Sequence, residues 1–308
     1  MPETLYLDTY GIWWSAKYLA EEVNSDDKID YFIQGINSWI DENYKVQVEI
    51  VNLETADYFA PNGKELEGNT FQDKIQTFAT TEGCTAVFDM NIAYKNENTK
   101  VDSEQISIVN DNPGITYTTD KVYSAEEGKT FYNFTDPTKP LNNLTIPDHL
   151  YIDTSAIYYT VNSLSSDEVT VDTLFCNSLS RWILHNYNAW VNILFGDLNN
   201  EPHFYDENGN ELNIDNPIAY FATTEGSTAV LNMLIYYDSS DANNNREYQT
   251  TTITITNQKP GNIKTDTTVV TDTHFTNETT VLATAIPLAV ISSVSAVSLA
   301  LWTKKSKK

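Results

Sequence analysis

Apolar positions recur along this chain in two rhythms. Ile29, Phe32, Ile33, Ile36, Trp39 and Ile40 fall at three- and four-residue intervals, as do Leu174, Phe175, Leu179, Trp182 and Ile183. That spacing lines one face of a helix and predicts one helix in each half of the chain. Val46, Val48 and Ile50 instead alternate with polar residues, the period of a half-buried strand. So do Ala86, Phe88, Met90, Ile92 and Tyr94, and again Ala229, Leu231, Met233, Ile235 and Tyr237. Short apolar strands open at residues 5–9 and 150–154, and Ile106-Ser107-Ile108 and Ile253-Thr254-Ile255 close before a Pro-Gly pair. Asn62-Gly63 and Asn208-Gly209 predict tight hairpin turns, where positive φ values are needed. The pattern predicts a β-rich α+β fold: antiparallel-sheet or sandwich-like units with about one helix each.

The pattern is written twice. Leu5-Tyr-Leu-Asp-Thr9 returns as Leu150-Tyr-Ile-Asp-Thr154, and Trp39-Ile-Asp-Glu-Asn-Tyr44 as Trp182-Ile-Leu-His-Asn-Tyr187. Phe78-Ala-Thr-Thr-Glu-Gly83 returns as Phe221-Ala-Thr-Thr-Glu-Gly226, and Pro113-Gly114 as Pro260-Gly261. Order is kept and the insertions are short, so residues 1–119 and 150–264 are expected to be homologous units. Residues 120–149, with Pro137, Pro140 and Pro147, read as a linker that can still pack locally. Residues 265–280 are rich in Thr and nearly devoid of apolar side chains, which suits an extended stalk.

After the stalk come 23 residues, 281–303, without an ionisable group. An uncharged run of that length predicts a single transmembrane helix, since about 20 residues cross the hydrocarbon. Trp302 stands at its end, followed by the basic tip of residues 304–308, while the preceding flank carries Asp266, Asp272 and Glu278. The positive-inside rule therefore puts the C-terminus in the cytoplasm and residues 1–280 outside, at the plasma membrane. The first residues, MPETLYLDTYG, show no export signal, so a removed signal or a tail-anchored cytosolic protein are the two accounts, the exported one preferred. Sequons at Asn133, Asn143 and Asn277 decide nothing in a chain this rich in Asn, Ser and Thr.

Charge narrows the partners. With 43 acidic against 18 basic residues and a net charge of −25, the chain is no nucleic-acid binder. Its apolar content of 41% excludes general disorder. Cys84 and Cys176 occupy non-equivalent places in the two copies, so neither is a shared nucleophile or metal ligand. A cross-unit disulfide and two buried free thiols both fit, the second preferred. The acidic stretch Asp206-Glu-Asn-Gly-Asn-Glu211 resembles a calcium loop, but its counterpart Ala60-Pro-Asn-Gly-Lys-Glu65 lacks the Asp, and a hairpin turn explains both. The polar loop from Asp238 to Asn245 reads as solvated, and no metal site or cofactor is expected.

Asp8, Asp153, Glu82 and Glu225 are carboxylates present in both copies, which permits two-carboxylate glycosidase chemistry without supporting it. The Glu-Gly steps read more simply as turns, and no catalytic residue is assigned. Trp13-Trp14 and Tyr158-Tyr159, just after the opening strands, are the candidate ligand-binding residues. Neighbours on a strand face opposite ways, so one of each pair can be core while the other stacks on an apolar ring face.

The opening strands with their aromatics, together with Thr85-Ala-Val-Phe-Asp-Met90 and Thr228-Ala-Val-Leu-Asn-Met233, resemble the starch-binding type of carbohydrate-binding module. Such modules occur in tandem on Gram-positive surface proteins, and the resemblance implies a β-sandwich with a sugar ligand. The helical segments and long middles depart from that pattern. The expectation is thus a membrane-anchored surface protein whose two modules bind a glycan or a surface protein. A structural, adhesin-like spacer is the alternative, and a surface carbohydrate-active enzyme the third reading.

Overall fold

The computed structural model describes residues 1–67, 70–94, 101–113, 120–136, 138–165, 168–196, 201–238 and 247–260. The expected stalk, transmembrane helix and basic tail, and most of the 238–245 loop, lie outside the described residues. No helix among the described residues is long and apolar enough to cross a membrane.

The first copy runs β1 (Thr4–Leu7), α1 (Thr9–Glu22), α2 (Lys28–Tyr44), β2 (Val46–Ile50), β3 (Asp57–Phe59), α3 (Phe71–Thr80), β4 (Thr85–Tyr94) and β5 (Val101–Asn110). Then come β6 (Asp120–Ser124), β7 (Thr130–Phe131) and β8 (Asn143–Pro147). The same order then recurs: β9 (His149–Ile152), α4 (Thr154–Leu164), α5 (Glu168–Tyr187), β10 (Val191–Leu194), β11 (His203–Tyr205), α6 (Pro217–Thr223), β12 (Thr228–Asp238) and β13 (Glu247–Asn257). The α+β class is therefore as the periodicity predicts, but among the described residues each copy carries three α-helices rather than about one.

The extra helices have local causes. Asp8 caps α1 by accepting the Gly11 N–H at 2.8 Å, and Thr70 and Asn216 cap α3 and α6 in the same way. Such caps satisfy N–H groups that a helix start leaves without an internal partner. Behind the Asp8 cap, Ile12, Trp13, Ala16, Leu19 and Ala20 are buried at helical spacing. The aromatic pairs thus sit on helices, not on strands: the short opening strands end at Leu7 and Ile152, and the buried caps turn the chain at once.

Spatially the described chain forms two compact units, and they do not coincide with the two sequence copies. One holds residues 1–114, 152–171 and 257–263; the other holds 115–151 and 172–256. Helix α4, from the second copy, packs against both α1 and α2 in the first unit.

In that unit β4 is paired antiparallel to β5, β2 and β3, while β1 lies parallel to β5, so the sheet is mixed rather than antiparallel throughout. A parallel partner needs a long crossover, and here almost the whole first copy separates β1 from β5. Ala86, Phe88, Met90 and Ile92 of β4 point into the core with Ile106 and Ile108 of β5. The opposite face is polar, with Ser103 donating to Asn91 and Gln105 to Asp89 across the strands. Among the described residues of this unit the apolar face is covered by helices, not by a second sheet: Phe32, Ile36, Trp39, Ile75 and Phe78 join its cluster.

Where α2 meets α1 and α4 the fit leaves no room for a methyl group. A Cβ at Gly35 would stand 2.5 Å from Thr160 Oγ1 and 2.6 Å from Ile12 Cγ2. Alanine gains roughly 1 kcal/mol of helix propensity over glycine. Overpacking costs about 1–3 kcal/mol, so the clash outweighs that gain. Gly35→Ala is therefore expected to lower the urea midpoint; a raised midpoint would show that the three helices part freely.

The second unit uses residues 120–149 structurally. β6 pairs with β8, and β7 adds to β12, where Phe131 stacks on Tyr237 with ring centroids 4.9 Å apart. β12 is flanked by β10 and β13, and β9 completes the order β10-β12-β13-β9. Unlike β4, β12 is buried on both faces: Leu231, Met233 and Ile235 on one, Leu234 and Tyr236 on the other. Trp190 and Tyr248 cover that second face.

Candidate functional site

The four aromatic candidates fall in one compact unit, on α1 and α4, instead of one pair in each. Trp13 is core, 2% exposed, packed edge-on against Phe32 at 5.4 Å. Tyr158 is 9% exposed. Trp14 and Tyr159 are half-buried at the margin of the same cluster. Consecutive helical residues are about a quarter-turn or more apart, so inner and outer members still separate. Trp14 is not a bare platform: Tyr10 meets it edge-on at 5.9 Å, and the Lys17 ammonium lies over its ring at 4.8 Å. Burial pushes the Tyr159 phenol up to about 12, with the charges of Glu42 and Asp153 adding to the effect.

The paired carboxylates divide into two kinds. Asp8 and Asp153 are both fully buried helix caps. Asp153 accepts from Ser155 Oγ, from the Ala156 N–H at 3.2 Å and from Trp39 Nε1 at 3.1 Å. Burial pushes its carboxyl above the usual carboxylate range, against the lowering effect of these donors and of the Lys259 charge. Glu82 and Glu225 are exposed, each before a glycine in the left-handed region, Gly83 at φ +80° and Gly226 at φ +85°. They belong to turns that lead into β4 and β12.

The Asn-Gly loops are turns as expected, of a different type. Only the glycines take positive φ, Gly63 at +77° and Gly209 at +81°. Ala60 pairs with Lys64 and Asp206 with Asn210 across three-residue loops. In the second copy the Asp206 carboxylate is engaged by its own loop, accepting from the Asn208 N–H and from the Asn210 N–H and side chain. Those bonds hold its carboxyl below the usual range. Among the described residues no group of His, Cys, Asp and Glu is arranged to hold a metal ion.

Both cysteines are free and buried. Cys176 donates to the Ile193 carbonyl, and burial pushes both thiols above their ordinary range. In the second unit a pocket of about 170 Å³ is lined by Thr130, Tyr132, Asn133, Lys139 and Pro140. Small-molecule sites usually enclose about 300–1,000 Å³, so this one is undersized.

One constellation has no precedent in the sequence pattern. Trp39 on α2 reaches Asp153 through Nε1, and its carbonyl accepts from Asn43 Nδ2 at 2.8 Å. The Asn43 Oδ1 faces Lys259 Nζ at 2.5 Å. The only sequence signal is an asymmetry between copies: Asp8, Trp182 and Asn186 repeat Asp153, Trp39 and Asn43, but Asn112 stands where Lys259 would recur.

Fold and site together define an α+β protein whose element order recurs, with a helix-borne aromatic margin and, in the same unit, a buried acid and an amide–amine pair. Comparison with protein-family models, with curated proteins and with solved structures finds no match.

Proposed function

We propose that this protein is held at a membrane by residues 281–303 and binds a glycan or a neighbouring surface protein through the outer aromatics of α1 and α4. The observation that carries the reading is the split within each pair: Trp13 and Tyr158 enter the core while Trp14 and Tyr159 remain half-open at its margin. An aromatic edge with a phenol and a nearby ammonium offers stacking, hydrogen bonding and charge together, the mixture that sugars and protein hot spots use. In this reading residues 1–280 lie outside the cell and the lysine tip lies inside. Because both pairs belong to one compact unit, avidity between two modules is not part of the proposal.

A glycan array probed with the purified protein tests it, alongside Trp14→Ala and Tyr159→Ala. Binding that drops about tenfold or more in each variant, with unfolding midpoints little changed, is the expected result. Glycans bound equally well by both variants would overturn the site. With no glycan hit, and no surface-protein partner sensitive to the same changes, the spacer reading would take its place. That second reading has its own support, since Lys17 already lies over the Trp14 ring.

A further inference from the structure

Lys259 and Asn43 bring an amine and a carboxamide within hydrogen-bond distance in the first compact unit, and the buried Asp153 carboxyl is tied to the same helix through the Trp39 indole. Each is positioned by backbone structure. Asn43 sits one turn beyond Trp39 near the end of α2, and its Nδ2 bond to the Trp39 carbonyl leaves Oδ1 for Lys259. Lys259 follows β13, whose continuation is held by the Gln258 N–H on the Ile152 carbonyl, the residue before Asp153. The Trp39 indole ties the acid to the helix that carries the amide.

A lysine on a surface asparagine would be an ordinary hydrogen bond. This pair differs in having a fully buried acid whose carboxyl feels the Lys259 charge. We propose that Lys259 Nζ and Asn43 Cγ become joined by an isopeptide bond, formed by the protein itself with Asp153 as the proton carrier. Nζ first gives its ammonium proton to solvent, and the lone pair so freed forms the bond to Cγ while the carbonyl π pair moves onto Oδ1. Oδ1 takes the Asp153 proton. Asp153, now a carboxylate, carries one Nζ proton to Nδ2. The tetrahedral centre then collapses: the Cγ–Nδ2 bond breaks with its electron pair on nitrogen, ammonia leaves, and the Oδ1 proton returns to Asp153. Nothing is oxidised or reduced, and no cofactor is consumed. Burial favours the protonated carboxyl that the first step needs.

The repeat counterparts of Asp153, Asn43 and Lys259 are Asp8, Asn186 and Asn112, so the acid and the amide recur but the amine does not. One bond per chain is therefore expected. It would join positions 216 residues apart, just before the Thr-rich stretch begins. The proposal does not depend on the binding or anchor reading, because its test reads mass alone.

The full chain is purified, its fold checked by cooperative unfolding, and its intact mass measured. A mass one ammonia below the sequence value is expected. Trypsin should then release residues 29–45 covalently joined to residues 247–264. Lys259→Met and Asn43→Ala should each restore the full mass for their sequence, and folded Asp153→Asn should remain unlinked or link far more slowly. A wild-type chain at full mass with both peptides separate would overturn the proposal. So would an ammonia loss that maps to Asn62 or Asn208, where an Asn-Gly step can lose ammonia by cyclising to a succinimide.

Discussion

Phe78→Ala is expected to lower the unfolding free energy by about 3–5 kcal/mol, the range for emptying a buried aromatic site. Phe78 is fully buried on α3, and its ring is shared among three others: Phe32 at 6.3 Å, Tyr58 at 6.0 Å and Phe88 at 6.1 Å. Those partners come from α2, β3 and β4, so one side chain joins helix to helix and helix to sheet. Edge-to-face pairs add about 0.5–1.5 kcal/mol each beyond area burial. The neighbours are themselves large rings anchored on separate elements, so they cannot collapse far into the space. Phe221 holds the corresponding place in the second copy, 6.3 Å from Phe175 and 5.9 Å from Phe204, and Phe221→Ala should cost a similar amount. Urea titration of both variants checks this. A loss below about 1 kcal/mol at Phe78 would mean that the junction can refill, contrary to tight packing.

Asp153→Ala should cost about 3 kcal/mol or more at acidic pH, and the cost should shrink as pH rises. Removing the carboxyl deletes the α4 cap, worth about 1 kcal/mol. It also leaves the Trp39 indole N–H and the Ser155 hydroxyl without this acceptor in a buried site, each about 1–3 kcal/mol. The pH dependence follows from burial, which raises the carboxyl in the folded chain above its ordinary value of 3.8. Folded protein then binds more protons than unfolded between 3.8 and the raised value. Stability from the protonated acid is thus fully present below 3.8 and is lost as pH climbs through the folded value. Urea midpoints of wild type and Asp153→Ala from pH 3.8 upward should converge, then run parallel. An advantage that grew with pH would show that the site holds the carboxylate instead.

Much of the fold is legible from the order of residues. The β4 and β12 alternations, the α2 and α5 stripes and the Asn-Gly turns are local patterns, because side-chain direction along a strand or helix follows from backbone geometry. The duplication is legible too, and the recurring order of elements follows it. α1 and α4 were hidden by their own composition. Both are apolar on much of their surface, so no polar face marked the 3.6-residue period; the signal was the Asp-Thr step that caps each one. For the aromatic pairs, inner and outer positions therefore come from helix rotation, not from strand alternation.

Other features have no local signature. Sequence similarity pairs α4 with the second copy, whereas packing places it on α1 and α2, because Gly35 opens a notch that Thr160 fills. No window of sequence contains that fit. The same holds for Asp153, whose polar side chain reads as a surface group until burial and the distant Trp39 define it.

By itself, the sequence determined the α+β class, the repeat and its order, the turns, the one-sided charge and the uncharged run at 281–303, all set by composition or by neighbours in the chain. Only the tertiary structure decided which helices share a core, which aromatics stay half-open, and that Asn43 and Lys259 meet across 216 positions. The reason is physical: periodicity reports which way a side chain points, but a contact between distant residues exists only once the intervening chain has packed.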